Sequence, residues 1–119
     1  MNIRLIVIRS ADPDRLVHFY RLLGFVFEEH QHGKGPLHYA ANIGACVLEI
    51  YPLAKNQASP DLNLRIGFTL DHFEESIAQL QKEQTFFVQE PMDNEFGFLA
   101  VVTDPEGRKI ELYRSKTVI

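Results

Sequence analysis

Apolar positions along this chain fall into two rhythms. One has a period of two, as in a strand with two distinct faces. The other recurs at i, i+3, i+4 and i+7, as along one side of a helix. "IRLIVI" (3–8) is dense in β-branched residues and predicts a buried strand. In "SADPD" that follows, Asp12 suits a helix N-cap and Pro13 the first turn. Leu16, Phe19, Tyr20 and Leu23 then share one helical face, and Gly24 closes the helix. Strands are predicted at 25–29, 37–43 and 46–51, with the loop "HQHGKGP" after the first and a turn at Gly44 before the last.

After a polar stretch with proline at each end (52–63), the same order returns. A strand is predicted at 64–70. A helix capped by Asp71 carries the stripe Phe73, Ile77 and Leu80. Strands at 85–90, 98–103 and 109–113 complete the second half, the last two joined by a turn at "DPEG" (104–107). The chain is therefore an internal repeat of roughly 60 residues. Repeat 1 spans 1–51, the linker 52–63 and repeat 2 64–119, within one domain. One β-α-β-β-β unit cannot cover both faces of its own sheet, which predicts that two pack together. The linker is long enough, at about 3.5 Å per residue, for units to pair within a chain or be exchanged between chains, and the sequence does not choose.

"VLEIY" (47–51) and "KIELY" (109–113) are the equivalent last strands. Each holds one carboxylate among strand formers, which is costly in an apolar setting unless something pairs with it. Alternation separates Cys46, Leu48 and Ile50 from Val47, Glu49 and Tyr51, and Ile110 and Leu112 from Glu111 and Tyr113. On the fifth strand it sets Arg65 and Thr69 opposite Ile66, Phe68 and Leu70. The helices are expected on the apolar faces. The mixed faces, with Leu5, Val7, His38, Glu49, Arg65, Thr69 and Glu111, are expected to line a ligand-binding cleft.

Composition narrows the function. With 45% hydrophobic and 24% charged residues the chain has the balance of a globular domain rather than a disordered one. A net charge of −4 and scattered basic residues argue against nucleic acid. No apolar run reaches the ~18 residues of a membrane span. Only one cysteine, Cys46, is present, so no internal disulfide forms. A cytoplasmic protein is expected. The H-x-H of His30 and His32 reads as a solvated loop, His18 and His72 as exposed helix positions, and Cys46 as a small core residue. Phe96 and Phe98 are candidates to line a ligand mouth, against the commoner alternative that aromatics at such positions are core.

The paired units, "LIVIRSADPDRLVHFYRLLGF" and "DPEGRKIELYR" resemble the vicinal oxygen chelate superfamily: glyoxalase I, extradiol dioxygenases, and the bleomycin- and fosfomycin-resistance proteins. The resemblance implies an α+β fold in which the two repeats form an open eight-stranded mixed barrel with helices outside, and it implies a homodimer. In glyoxalase-type members a divalent metal is held from four positions, one on the first and one on the last strand of each unit. Glu49 and Glu111 match two of these. The other two fall on Leu5, which has no donor atom, and Arg65, which stays protonated. No metal or other cofactor is therefore expected, and Arg65 is expected to pair with one or both carboxylates. The function expected is binding of a small organic ligand with apolar and ionic parts. The alternative is a metal-dependent lyase, isomerase or dioxygenase using Glu49, Glu111 and an unusual third group such as His38. Whether any reaction is catalysed, and on what, is open at this level.

Overall fold

A computed structural model of the chain describes residues 1–116. The chain divides into two compact units, Met1–Arg21 with Phe25–Asp61, and Leu22–Gly24 with Leu62 onward. Each has the β-α-β-β-β order that the repeat predicts. The first contains β1 (Leu5–Ser10), α1 (Pro13–Leu22), β2 (Phe27–His30), β3 (His38–Ile43) and β4 (Cys46–Pro52). The second contains β5 (Ile66–Leu70), α2 (Phe73–Lys82), β6 (Phe87–Asn94), β7 (Gly97–Thr103) and β8 (Lys109–Arg114). Each unit has one four-stranded mixed sheet, ordered β1-β4-β3-β2 and β5-β8-β7-β6. In both, the first strand lies parallel beside the last, so the helical crossover delivers the chain to a sheet edge.

The helix-facing sides hold the cores. In the first unit Ile8, Ala41, Leu48 and Ile50 are buried, together with Leu16, Phe19 and Tyr20 of α1. In the second, Ala100, Val102, Ile110 and Leu112 are buried, together with Phe73, Ile77 and Leu80 of α2. The opposite faces behave differently. Leu5 and Val7, predicted within a buried strand, are 54% and 41% exposed. They point away from the core that Ile8 and Ser10 enter, because one strand cannot bury both faces with a single helix layer. Cys46 has the expected parity but is only half-buried, at the strand's open end.

Asp12 caps α1, its Oδ1 accepting from the Arg15 N–H at 3.2 Å. Asp71 does not cap α2. That helix starts one residue late, with His72 in the N-cap position and no side-chain cap bond. Glu74 and Glu75 in its first turn favour the positive helix end instead. Both helices close in the same way. Phe25 N–H bonds the Tyr20 carbonyl and Thr85 N–H the Leu80 carbonyl, at 3.2 and 3.0 Å. The closure needs a left-handed residue, and Gly24 supplies it at φ +102°. The equivalent in the second unit is Gln84, at φ +61°, which carries the steric cost glycine avoids.

β6 runs past its predicted end at residue 90 to Asn94, with register shifts between Phe87 and Gln89 and between Gln89 and Met92. Pro91 lies within it, and an edge strand with bulges is where a sheet accepts a proline. At the β7–β8 turn, Asp104 Oδ1 accepts from the N–H groups of Glu106, Gly107 and Arg108 at 2.9, 2.9 and 3.0 Å. Its Oδ2 accepts from the buried Arg108 guanidinium at 3.1 Å. The "DPEG" turn is thus folded around one carboxylate.

Candidate functional site

Both sheet faces turned away from the helices carry polar chemistry, and each is built within its own unit. In the second, register sets Gly67 opposite Glu111 and Thr69 opposite Tyr113. Gly67 has no side chain, and a Cβ there would approach Tyr113 Cε1 to 3.3 Å and Glu111 Cβ to 3.5 Å. The Tyr113 ring fills that space. Its hydroxyl donates to Glu111 Oε1 at 2.6 Å, while Arg65 Nε donates to Glu111 Oε2 at 2.6 Å. Both carboxylate oxygens are therefore engaged by strong donors. The bond from Tyr113, then the guanidinium of Arg65, hold Glu111 below the usual carboxylate range against the opposing effect of burial. The same bond pushes the Tyr113 phenol upward.

Beyond Tyr113 a groove of about 800 Å³ opens, lined in part by Thr69, Phe73, Asp93, Phe98, Tyr113 and Arg114. Phe98 meets Phe73 edge-on at 5.7 Å and lies under the Arg114 guanidinium at 3.9 Å, a cation–π contact. Phe96, which the sequence leaves between core and ligand mouth, is 72% exposed on the groove's rim. Ring, guanidinium and carboxylate thus converge where β5, β8 and the start of α2 meet.

In the first unit, Glu49 shares its face with Leu5, Val7, Val47 and Tyr51. His38 is 1% exposed and stacks on Tyr51, ring centroids 4.2 Å apart and planes 7° from parallel. The Arg9 guanidinium lies over the Tyr51 ring, 4.8 Å from its centre. His38 Nδ1 donates to the Pro36 carbonyl at 3.2 Å, and its Nε2 lies 3.7 Å from Glu49 Oε2. Opposite His38 on β2 is His30. The loop after β2 is exposed, as expected, and its path also brings His32 against the other two. Ligating atoms of His30, His32 and His38 lie within 4.8 Å of one another. The sequence held a signal for this in "HQH" followed by a third histidine, but only the loop's path brings them together.

Of the positions named from sequence, Leu5, Val7, His38 and Glu49 share one face of the first sheet. Arg65, Thr69 and Glu111 share one face of the second. The four positions at which the resemblance implies a metal do not fit one. Leu5 offers no donor, and Arg65 already holds Glu111 at 2.6 Å, where a guanidinium repels a divalent ion.

Among the described residues, no helix is long and apolar enough to cross a membrane. No curated protein matches the sequence significantly. Solved structures match throughout. TnmS3, an antibiotic binding protein from Streptomyces sp. CB03234, is 20% identical at TM-score 0.76, covering 98% of this chain and 97% of that one. A glyoxalase family protein from Enterococcus faecalis is 24% identical at TM-score 0.65, with 95% and 97% covered. Lactoylglutathione lyase from Agrobacterium tumefaciens is 16% identical at TM-score 0.67, with 96% and 93% covered. At these identities the likeness establishes the fold. The model of one family matches residues 2–112, nearly the whole chain, and the protein belongs to the Glyoxalase/Bleomycin resistance protein/Dioxygenase superfamily.

Proposed function

We propose that the chain binds a small organic molecule with an aromatic body and ionic substituents, without a metal at the four positions the superfamily uses for chelation. The observation that carries this is the Arg65–Glu111–Tyr113 network beside the groove. It fills one of those chelating positions with a fixed cation. It anchors Tyr113 at the groove's edge, where the exposed Phe96 ring offers apolar area and Asp93 and Arg114 offer charge of both signs. A ligand site needs this combination: an apolar wall for affinity and a few oriented polar groups for specificity. The structural likeness to an antibiotic binding protein supports the same reading.

The test is calorimetric titration of chelator-treated protein with metal-free bleomycin and with anilinonaphthalene sulfonate, beside an assay for lactoylglutathione lyase activity. Saturable binding of either probe, weakened in Tyr113→Ala, together with no turnover, supports the proposal. Failure of both probes to bind, or metal-dependent turnover abolished by Glu111→Gln, overturns it.

A further inference from the structure

We infer that His30, His32 and His38, with Glu49 beside them, form a binding site for a divalent transition-metal ion of the zinc class on the first sheet's face turned away from α1. The site is separate from the groove of the second unit and does not depend on its reading. It also differs from the superfamily's chelating positions, of which it includes only Glu49.

The hydrogen bonding already present has the form that ligating histidines require. The Pro36 carbonyl can only accept, so His38 Nδ1 carries a proton, and in the neutral imidazole the Nε2 lone pair is left over. That Nε2 is buried and has no hydrogen-bond partner. It faces the Glu49 carboxylate at 3.7 Å, too far for a hydrogen bond. A cation there satisfies both. His30 repeats the pattern, since its Nε2 donates to Glu28 Oε2 at 3.2 Å and leaves Nδ1 available. One ring nitrogen tied to a carbonyl or carboxylate, the other presented to the ion, is how proteins orient metal-bound imidazoles.

The dimensions are close to those needed. A tetrahedral zinc with Zn–N of about 2.0–2.1 Å holds its nitrogens roughly 3.4 Å apart. One ligating nitrogen from each of the three histidines lies within 4.8 Å of the other two, and Glu49 adjoins them through its 3.7 Å contact with His38. The remaining contraction falls to the side chains of His30 and His32, while His38 is fixed by its stack on Tyr51. Imidazole with one carboxylate favours zinc, nickel, cobalt or copper over magnesium or calcium.

The experiment is calorimetric titration of chelator-stripped protein with Zn²⁺ alone, and in parallel with Mg²⁺. One equivalent of Zn²⁺ is expected to bind with a Kd in the micromolar range or tighter, with no saturable Mg²⁺ heat. His32→Ala and His30→Ala, both away from the core, are expected to weaken Zn²⁺ by at least about tenfold while leaving the metal-free melting temperature unchanged. Glu111→Gln is expected to leave Zn²⁺ binding unaltered. Absence of saturable Zn²⁺ binding, unchanged affinity in His32→Ala, or loss of binding in Glu111→Gln overturns the site. Binding of anilinonaphthalene sulfonate by His32→Ala reads the groove in the same sample, so failure of either site is seen separately.

Discussion

Gly67 and Tyr113 form a single joint. The tyrosine ring lies where a side chain at position 67 would begin, 3.3 Å from the Cβ that glycine lacks. The equivalent position in the first unit is Val7, opposite Glu49, and there the equivalent tyrosine, Tyr51, stacks on His38 instead. One side chain thus separates two uses of the same strand pattern. Gly67→Val is expected to displace the Tyr113 ring from Glu111. In a spectrophotometric pH titration one phenol then returns toward its ordinary value of 10.0. A phenol that stays raised shows that the ring tolerates the added methyls and that Gly67 does not govern it.

Arg65 and Glu111 make a charge-assisted bond in a half-exposed setting, 49% and 24% exposed at their side chains. Exposed pairs of this kind stabilise little. Arg65→Ala is expected to shift the denaturant midpoint by less than about 1 kcal/mol equivalent. It is also expected to weaken bleomycin or anilinonaphthalene sulfonate binding by about tenfold, because Glu111, freed from Arg65, no longer fixes the Tyr113 hydroxyl at the groove. A large stability loss with unchanged probe affinity would assign the pair to the fold rather than to the groove.

The same carboxylate sets the acid limb of stability. Glu111 is held below 4.5 chiefly by the Tyr113 bond and then by Arg65. Its contribution is therefore fully present above the unfolded value and lost as pH falls through the lower folded one. Tyr113 has the opposite sign: its phenol is raised above 10.0, so its contribution is present below that pH and lost as pH climbs through the folded value. Glu111→Gln is expected to flatten both limbs in urea melts at stepped pH, while Tyr113→Phe flattens the alkaline limb and only part of the acid one.

Asp104 organises the β7–β8 turn from inside. Replacing it with alanine removes the side-chain acceptor of the Glu106, Gly107 and Arg108 N–H groups and one of the carboxylates on the buried Arg108 guanidinium, which also binds Glu106 at 2.9 Å. The expected cost is about 3 kcal/mol or more, measured by chemical denaturation. A loss under about 1 kcal/mol would show that water replaces the carboxylate freely.

Gln84→Gly is expected to stabilise the chain by about 1 kcal/mol. It gives the end of α2 the residue type that ends α1, at a backbone angle of +61° that glutamine adopts only under strain. A lower melting temperature would mean that glycine's freedom in the unfolded chain outweighs the relief.

Strand alternation carries far in this sequence. It places Glu49 with Leu5 and Val7, and Glu111 with Arg65 and Thr69, because period two is a property of the backbone. Where side chains meet depends on loops and on rotamers, which have no such period. His32 joins His30 and His38 because the chain after β2 turns back, and "HQHGKGP" does not encode that path in its composition. Tyr113 leans on Glu111 because a neighbouring strand lacks a Cβ, a fact held three strands earlier in the sequence. Asp71 fails as a cap for a smaller reason, a helix start displaced by one residue.

The stack of Tyr51 on His38 has an optical consequence. The chain contains four tyrosines and no tryptophan, so its ultraviolet emission is tyrosine emission unmasked by a brighter neighbour. Tyr51 lies flat on the imidazole assigned to the ion, and Tyr113 borders the groove. Each site therefore comes with its own lamp. Tyr51→Phe darkens one and Tyr113→Phe the other, and occupancy of either can be followed without a label.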